Sequence, residues 1–144
     1  MLVVDTSVWV DHFNVHASPQ AVALAEAIDS AAEIVLPGIV LTEILLGLRT
    51  DGEADRIERL LAAFTAPPPL SRSDYLAAAR TYRGCRAAGR TIRSVVDCLI
   101  AQLCLRQQYV LLSKDHDFEA IARTFPLRLA TCRVRPTPAP PRNN

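Results

Sequence analysis

The sequence has no hydrophobic stretch that could form a transmembrane helix. Its longest apolar segments, 34–41 and 95–105, are shorter or more interrupted than the roughly 20 apolar residues that a spanning helix needs. The first 14 residues contain two aspartates and no basic leader, so we expect no cleaved signal peptide. We therefore expect a protein that lies in the cytoplasm and does not associate with membranes.

The sequence also lacks an excess of charge of either sign and lacks paired cysteine motifs. Its 16 basic and 15 acidic side chains give a formal net charge of +1, and half of its 144 residues are hydrophobic. These values exclude a disordered chain and fit one compact domain. The absence of a C-x-x-C element argues against a zinc site or a disulfide framework. We interpret the four cysteines as small core residues: Cys85, Cys98, Cys104 and Cys132.

Strand-like and helical patterns alternate along the chain. We predict buried strands over 1–4, 33–36, 109–112 and 127–130. The predicted helices between them begin near Ser18, Ile39, Asp51, Ser73, Ser94 and Asp115. Asp51 is predicted to be an N-cap, and Ser94 is predicted to form a capping box with Asp97. This alternation favours an α/β fold with a mainly parallel sheet over 1–133. The proline-rich end, 134–144, is predicted to be a disordered tail.

Five acidic residues follow predicted strands or open predicted helices. Asp5 ends the first strand, Asp115 and Asp117 follow the strand over 109–112, and Glu43 and Asp97 fall in first turns of helices. In a parallel sheet these positions can meet at one rim. Carboxylates at short range repel one another, and a divalent cation removes that cost. Because no His or Cys stands at metal spacing, oxygen ligands favour Mg²⁺ or Mn²⁺ over zinc.

Each of these acids also has a purely structural explanation. Asp97 could complete a capping box, Glu43 could face a helix dipole, and Asp115 could cap the final helix. Asp5 has the fewest alternatives, of which an N-cap for a helix over 7–13 is the best. The joint pattern, more than any single acid, favours a functional site.

Four segments of the sequence resemble the acidic motifs of PIN-domain ribonucleases, and most closely those of the VapC toxins of bacterial type II toxin–antitoxin modules. They are 3–9 (VVDTSVW), 42–47 (TEILLG), 96–101 (VDCLIA) and 111–118 (LLSKDHDF). Each motif is weak alone, but the four occur in the family's order. The resemblance covers the chain from its first residue to about residue 129.

The resemblance implies a three-layer α/β/α sandwich, Mg²⁺ or Mn²⁺ at the acidic cluster, and endonucleolytic cutting of RNA by metal-activated water. By position, the family's acids correspond to Asp5, Glu43, Asp97 and either Asp115 or Asp117. Asp117 is slightly favoured because Phe118 follows it, as in the family's terminal D-F element. One ion would bind at Asp5 and Asp97, and a second partly at Glu43 and Asp117.

The resemblance also implies partners. In the family a small antitoxin of the VapB type wraps the region of the first helix and the Glu43 helix, and the toxin usually forms a homodimer. The apolar residues there, Trp9, Phe13 and 45–48, are otherwise ordinary core residues. Near the acids, the hydroxyl of Thr6 or Ser7 is a plausible hydrogen-bond partner that would orient a ligating carboxylate.

Arginine is concentrated where acidic residues are absent. The segment 75–96 contains five arginines and no acid. Four of its arginines are predicted to hold the RNA backbone: Arg83, Arg86, Arg90 and Arg93. Arg83, Arg86 and Arg90 share one helical face if the helix continues past Gly89, and Arg93 should lie nearest the metal. The alternative is an ordinary solvated helix face.

Two other functions compete with the nuclease. A non-catalytic PIN-like module would bind RNA or a protein without cutting, although it would have no need to keep repelling carboxylates together. A phosphatase of the haloacid dehalogenase type also begins with a strand-end aspartate, but it needs a second aspartate two residues later, where Ser7 stands. The sequence does not indicate which RNA is cut.

Overall fold

Four short parallel strands form the central sheet. The computed structural model describes residues 1–132 and orders the strands β2-β1-β3-β4. The strands are β1 (Leu2–Val4), β2 (Ile34–Val35), β3 (Val110–Leu112) and β4 (Arg128–Leu129). Leu2 pairs with Ile34 on one side and Val110 on the other, and a parallel bridge from Val35 to Thr65 extends the edge beyond β2. The four predicted strands are confirmed, with shorter bounds.

Seven helices in the described part of the chain flank this sheet. They are α1 (Thr6–Phe13), α2 (Pro19–Asp29), α3 (Gly38–Leu46), α4 (Asp51–Leu61), α5 (Arg72–Ala87), α6 (Val95–Gln107) and α7 (His116–Ala122). Helices α1 to α4 contact one another in one group, and α5 to α7 contact one another in a second group. This arrangement confirms the predicted α/β/α fold with a parallel sheet. Within residues 1–132, no helix is long and apolar enough to cross a membrane.

The core consists of the strands and the inner helix faces. Val3, Val4 and Leu111 have no exposed surface, which explains why these strands are apolar without alternation. Three of the cysteines are buried free thiols, as predicted, and Cys132 is half-buried. The predicted tail, 134–144, lies outside the described residues, so the boundary at 133 stays a prediction.

Several predicted helix starts are wrong by one or two residues. Thr50, not Asp51, is the N-cap of α4, and α5 begins after Ser71, not at Ser73. The predicted capping box of Ser94 with Asp97 is also wrong, because the Ser94 side chain makes no capping hydrogen bond. Ser71 and Asp74 form that motif instead, each side chain accepting from the other's backbone N–H.

Two further predictions fail for positional reasons. Glu43 lies in the second turn of α3, which begins at Gly38, so the first-turn helix-dipole explanation does not apply to it. Helix α5 does not continue past Gly89, which has a φ of +76°, and the Arg90 N–H instead closes onto the Cys85 carbonyl oxygen at 2.8 Å. Arg90 therefore leaves the helical face that carries Arg83.

A buried ion pair between α5 and α6 fixes the proline-rich connection before α5. The Arg106 guanidinium contacts the Asp74 carboxylate, which is almost completely buried, and donates at 3.3 Å to the carbonyl oxygens of Pro68 and Pro69. The Ser71 backbone N–H, at 2.7 Å, holds the pKa of Asp74 below its ordinary value against the opposing effect of burial. The pair thus joins three chain segments.

We predict that Arg106→Gln lowers the free energy of unfolding by about 2 kcal/mol, because it leaves the Asp74 carboxylate buried without its cation. Urea unfolding followed by circular dichroism measures this change. The matched control is Arg59→Gln on the exposed face of α4, which should change the free energy of unfolding by less than about 0.5 kcal/mol. Equal effects of the two variants would contradict a structural role for the ion pair.

Candidate metal centre

The carboxyl ends of β1 and β3 bring acidic residues to one rim of the sheet. Val4 pairs with Leu112, so both strands stop at the same level. The Asp5 N–H donates to the Leu112 carbonyl oxygen at 2.9 Å, which fixes Asp5 beside the segment that follows β3. Asp115 and Asp117 lie in that segment, at the start of α7. The predicted convergence at strand ends is therefore present in the fold.

Three carboxylates from two helices form a compact group at this rim. Asp97, Asp115 and Asp117 each offer an oxygen, and these oxygens all lie within 4.8 Å of one another. Asp97 is 8% exposed and Asp117 is 5% exposed, whereas Asp115 is half-buried. Three oxygen ligands at this spacing can coordinate a metal ion, and they are of the type that hard divalent cations prefer.

Asp5 and Glu43 lie beside this group and are oriented by hydroxyl groups. The Asp5 carboxylate accepts from the Ser7 hydroxyl at 2.5 Å and from the Ser113 hydroxyl at 3.2 Å. Glu43 accepts from the Thr6 hydroxyl at 2.7 Å. The structure thus places both Thr6 and Ser7 against predicted site acids. Asp5 also accepts from the Ser7 N–H as the N-cap of α1, so capping and a place in the site coexist.

The electrostatic effect of the cluster is greatest at Asp97. Burial of Asp97, together with the negative charges of Asp5, Asp115, Asp117 and Glu43, raises the pKa of this carboxyl to about 7. Four of the predicted site acids therefore act through space on the fifth, Asp97. The excess of negative charge is the condition that a bound divalent cation would relieve.

The choice between Asp115 and Asp117 stays open, because both carboxylates belong to the three-acid group. Asp115 is the N-cap of α7 and accepts from the Asp117 N–H at 2.9 Å, as its structural explanation required. Asp117 is the more buried of the two. His116, between them, has a side chain that is 86% exposed and contacts Glu119, which agrees with a solvent-exposed loop residue.

The four predicted RNA-binding arginines do not form one row. Arg83 and Arg86 are exposed on α5, with the Arg86 guanidinium 5.8 Å from the centre of the Tyr82 ring. Arg90 lies beyond the end of the helix, and its guanidinium contacts the Ala88 carbonyl oxygen. Arg93 reaches the acids, as predicted, and forms ion pairs with Asp115 and Asp117.

Two contacts of the site were missed by the sequence reasoning. Ser113 directly follows β3 and donates to Asp5, so the strand-end rule that identified Asp5 could have found it. Lys114 donates to the buried Asp11 at 2.7 Å, and this hydrogen bond lowers the pKa of Asp11. That ion pair ties the segment after β3 to α1, and no local pattern signals it because the two residues are far apart in the chain.

Comparison with known proteins identifies the family. Residues 2–124 match the model of the PIN domain. The chain belongs to the PIN-domain family. It is also 37% identical over 134 residues to ribonuclease VapC11 of Mycobacterium tuberculosis, a match that covers 92% of this chain and 100% of that relative. The PIN domain described here is therefore a member of the VapC ribonucleases, which confirms the resemblance carried by the four motifs.

Solved structures share the fold of this PIN domain. VapBC2 from Rickettsia felis, bound to a DNA fragment from its promoter, matches with a TM-score of 0.69 at 17% identity, covering 90% of this chain and 96% of that chain. A toxin–antitoxin complex from Klebsiella pneumoniae matches with a TM-score of 0.67 at 15% identity, covering 91% and 97%. At these identities the likeness concerns the fold.

We predict that the metal-free protein loses stability as the pH rises from about 4 to about 7. The folded state raises the pKa of Asp97 from the ordinary value of 3.8 to about 7, so between these values it holds a proton that the unfolded chain releases. Asp97→Asn removes this contribution. Its melting temperature in chelator should therefore fall less between pH 5 and pH 8 than that of the wild type, by about 3 °C or more.

The control for this prediction is Asp55→Asn, which neutralises an exposed carboxylate on α4. Its melting temperature should follow the pH profile of the wild type. If the melting temperature of Asp97→Asn also followed the wild-type pH profile, Asp97 would not be the titrating group.

Proposed function

We propose that this chain is a divalent-metal-dependent endoribonuclease and the toxin of a type II toxin–antitoxin pair. The observation that carries the proposal is the three-acid group of Asp97, Asp115 and Asp117, with carboxylate oxygens within 4.8 Å of one another in a VapC-family chain. Asp5 and Glu43 complete the five acids. A domain that only bound RNA would gain nothing from carboxylates that repel both one another and the phosphates.

The donor set fits Mg²⁺, with Mn²⁺ as the alternative. Asp97, Asp115 and Asp117 would hold the ion, with Asp5 and Glu43 at its side, and all of these ligands are carboxylate oxygens. Within residues 1–132, no histidine or cysteine belongs to this group. Such an ion lowers the pKa of a coordinated water and offsets charge on a phosphate oxygen.

The protein's own residues then hold the acids in place. The hydroxyls of Ser7 and Ser113 fix one carboxylate oxygen of Asp5, and Thr6 fixes one of Glu43. These hydrogen bonds orient the acids before a ligand arrives. The exposed His116 side chain is turned to Glu119, so a histidine base is not part of the proposed mechanism.

The substrate surface in this proposal is the exposed C-terminal part of α5. Arg83 and Arg86 form no ion pair with any described residue, so their guanidinium groups are free to bind phosphates. Tyr82 lies beside them and offers a ring for an unpaired base. This supports single-stranded RNA as the substrate class. The proposed place of the reaction is the cytoplasm.

A cognate VapB-like antitoxin and a second copy of the chain are the proposed partners. A cleft of about 340 Å³ lies between α1, α3 and α4, and its lining combines apolar residues, such as Phe13 and Ile44, with the charged Arg49 and Glu53. Leu46 is 77% exposed near it, which supports a protein partner there. Trp9 does not take part, because it is 1% exposed and belongs to the core.

We predict that Asp5→Asn and Asp97→Asn each reduce Mg²⁺-dependent RNA cleavage by about 100-fold or more, because each removes a charge that the ion requires and keeps the side-chain shape. Gel analysis of a labelled single-stranded RNA, with and without chelator, measures the rate. The same change at Asp115 and Asp117 identifies the fourth acid as the position where the loss is larger. Asp55→Asn is the control, and wild-type rates in Asp97→Asn would refute the proposed site.

We also predict that Arg83→Gln with Arg86→Gln weakens RNA binding and flattens its salt dependence. Each lost phosphate contact should lower the slope of log affinity against log salt by roughly 0.7, so the slope should fall by somewhat more than one unit. Filter binding in chelator over a salt series measures it. The matched control is Arg56→Gln with Arg59→Gln, an exposed pair at the same spacing on α4. Identical slopes in both double variants would show that the α5 arginines are only a solvated face.

A further inference from the structure

Arg93 holds Asp117 with both its backbone and its side chain. The Arg93 N–H donates to one carboxylate oxygen of Asp117 at 2.8 Å, and Nε donates to the other at 3.3 Å. The terminal guanidinium nitrogen reaches Asp115 at 3.1 Å. The hydrogen bond to Asp117 and the charges of both aspartates raise the pKa of Arg93. One guanidinium therefore neutralises two of the acids in the three-acid group.

The guanidinium and a divalent cation would use the same carboxylates. Asp115 and Asp117 each supply an oxygen to the group that can hold an ion. Within residues 1–132, neither Asp5 nor Asp97 forms an ion pair with an arginine or lysine. Arg93 therefore supplies the positive charge that is paired with acids at this rim. A guanidinium beside a divalent cation is repelled by it, so the two compete.

The two attachments of Arg93 differ in how freely they can move. Its neighbour Ile92 is 2% exposed and anchors the backbone in the core, whereas the Arg93 side chain is 70% exposed. The residue stands in the non-helical connection between α5 and α6. The backbone N–H can therefore keep Asp117 oriented while the side chain leaves the carboxylates.

We propose that Arg93 exchanges its guanidinium between the site acids and the RNA phosphate. Without metal the guanidinium pairs with Asp115 and Asp117. When a divalent cation binds there, the guanidinium is displaced. The Arg93 backbone N–H stays hydrogen-bonded to Asp117, so the displaced guanidinium remains close to the acids and contacts the phosphate held there. The second step rests on the proposed nuclease function, whereas the first requires only metal binding.

Arginine is suited to both partners of this exchange. Its planar fork of donors matches a carboxylate and a phosphate equally well, with two parallel hydrogen bonds in each case. Arg83 and Arg86 lie on α5 without a described contact to the acids, so they cannot make the same exchange. Arg93 is thus distinguished from the other arginines by geometry, and its removal should affect metal binding and cleavage in opposite directions.

The first step is tested without RNA. We expect the arginine Nε–H nuclear magnetic resonance signal of Arg93, assigned by its loss in Arg93→Gln, to shift on saturation with Mg²⁺. Arg93→Gln should tighten Mn²⁺ binding, measured by titration, by about two- to fivefold, as expected for the loss of a largely exposed ion pair. The Mn²⁺ affinities of two control variants should stay within about twofold of the wild-type affinity. They are Arg93→Lys, which keeps the positive charge, and Arg59→Gln, which removes a distant positive charge.

The second step is tested by cleavage of single-stranded RNA at saturating Mg²⁺. Arg93→Gln should cut about tenfold or more slowly although it binds metal more tightly, and Arg93→Lys should recover part of the rate because a point charge replaces the fork. Arg59→Gln should cut at the wild-type rate. Thermal melting of each variant checks that the fold is intact.

The displacement, the phosphate contact and the nuclease function are each tested by a different outcome. An Arg93 signal that Mg²⁺ leaves unchanged, or Mn²⁺ binding that weakens in Arg93→Gln, overturns the displacement. Wild-type cleavage by Arg93→Gln at saturating Mg²⁺ overturns the phosphate contact. Failure of the wild type itself to cut RNA with Mg²⁺ refutes the proposed nuclease function, and the Mn²⁺ titration then still decides the first step alone.

Discussion

Repulsion among carboxylates on one rim of the sheet is the constraint on which the rest of this structure depends. Burial raises the pKa of Asp97 to about 7, and the negative charges of Asp5, Asp115, Asp117 and Glu43 add to this effect. A protein does not gain stability by such an arrangement. The surrounding contacts are therefore best understood as those that keep the acids together at a stability cost, as functional sites commonly require.

Three kinds of contact hold the acids in place. Parallel pairing of β1 with β3 sets Asp5 beside the segment that follows β3. Hydroxyl donors, exemplified by Ser7, stabilise carboxylates without adding charge. Cations stand at the edges, where Lys114 pairs with Asp11 and joins that segment to α1. The hydroxyls lie at Asp5 and Glu43, whereas the cation that contacts the three-acid group itself is Arg93.

The sequence predicts the parts of this site that depend on local pattern. Apolar runs that stop at an acid located β1, β3 and the rim, because strand burial and strand ends are visible in the order of residues. Helix caps were harder, since Ser94 with Asp97 has the same spacing as Ser71 with Asp74 but only the second pair forms the motif. Spacing alone does not distinguish the two pairs, because the position of the Asp97 carboxylate, among acids of the α7 segment, is set by long-range packing.

The path of Arg93 shows the same limit and explains why the arginine-rich segment divides into two roles. A continuous helix would have placed Arg83 and Arg90 on one face, but the left-handed conformation at Gly89 ends α5 and turns the chain towards the rim. The turn separates arginines that face solvent from the one that meets the acids 22 and 24 residues further along the chain. A single glycine thereby converts a uniform basic stripe into a solvent-facing surface and a counter-charge for the three-acid group.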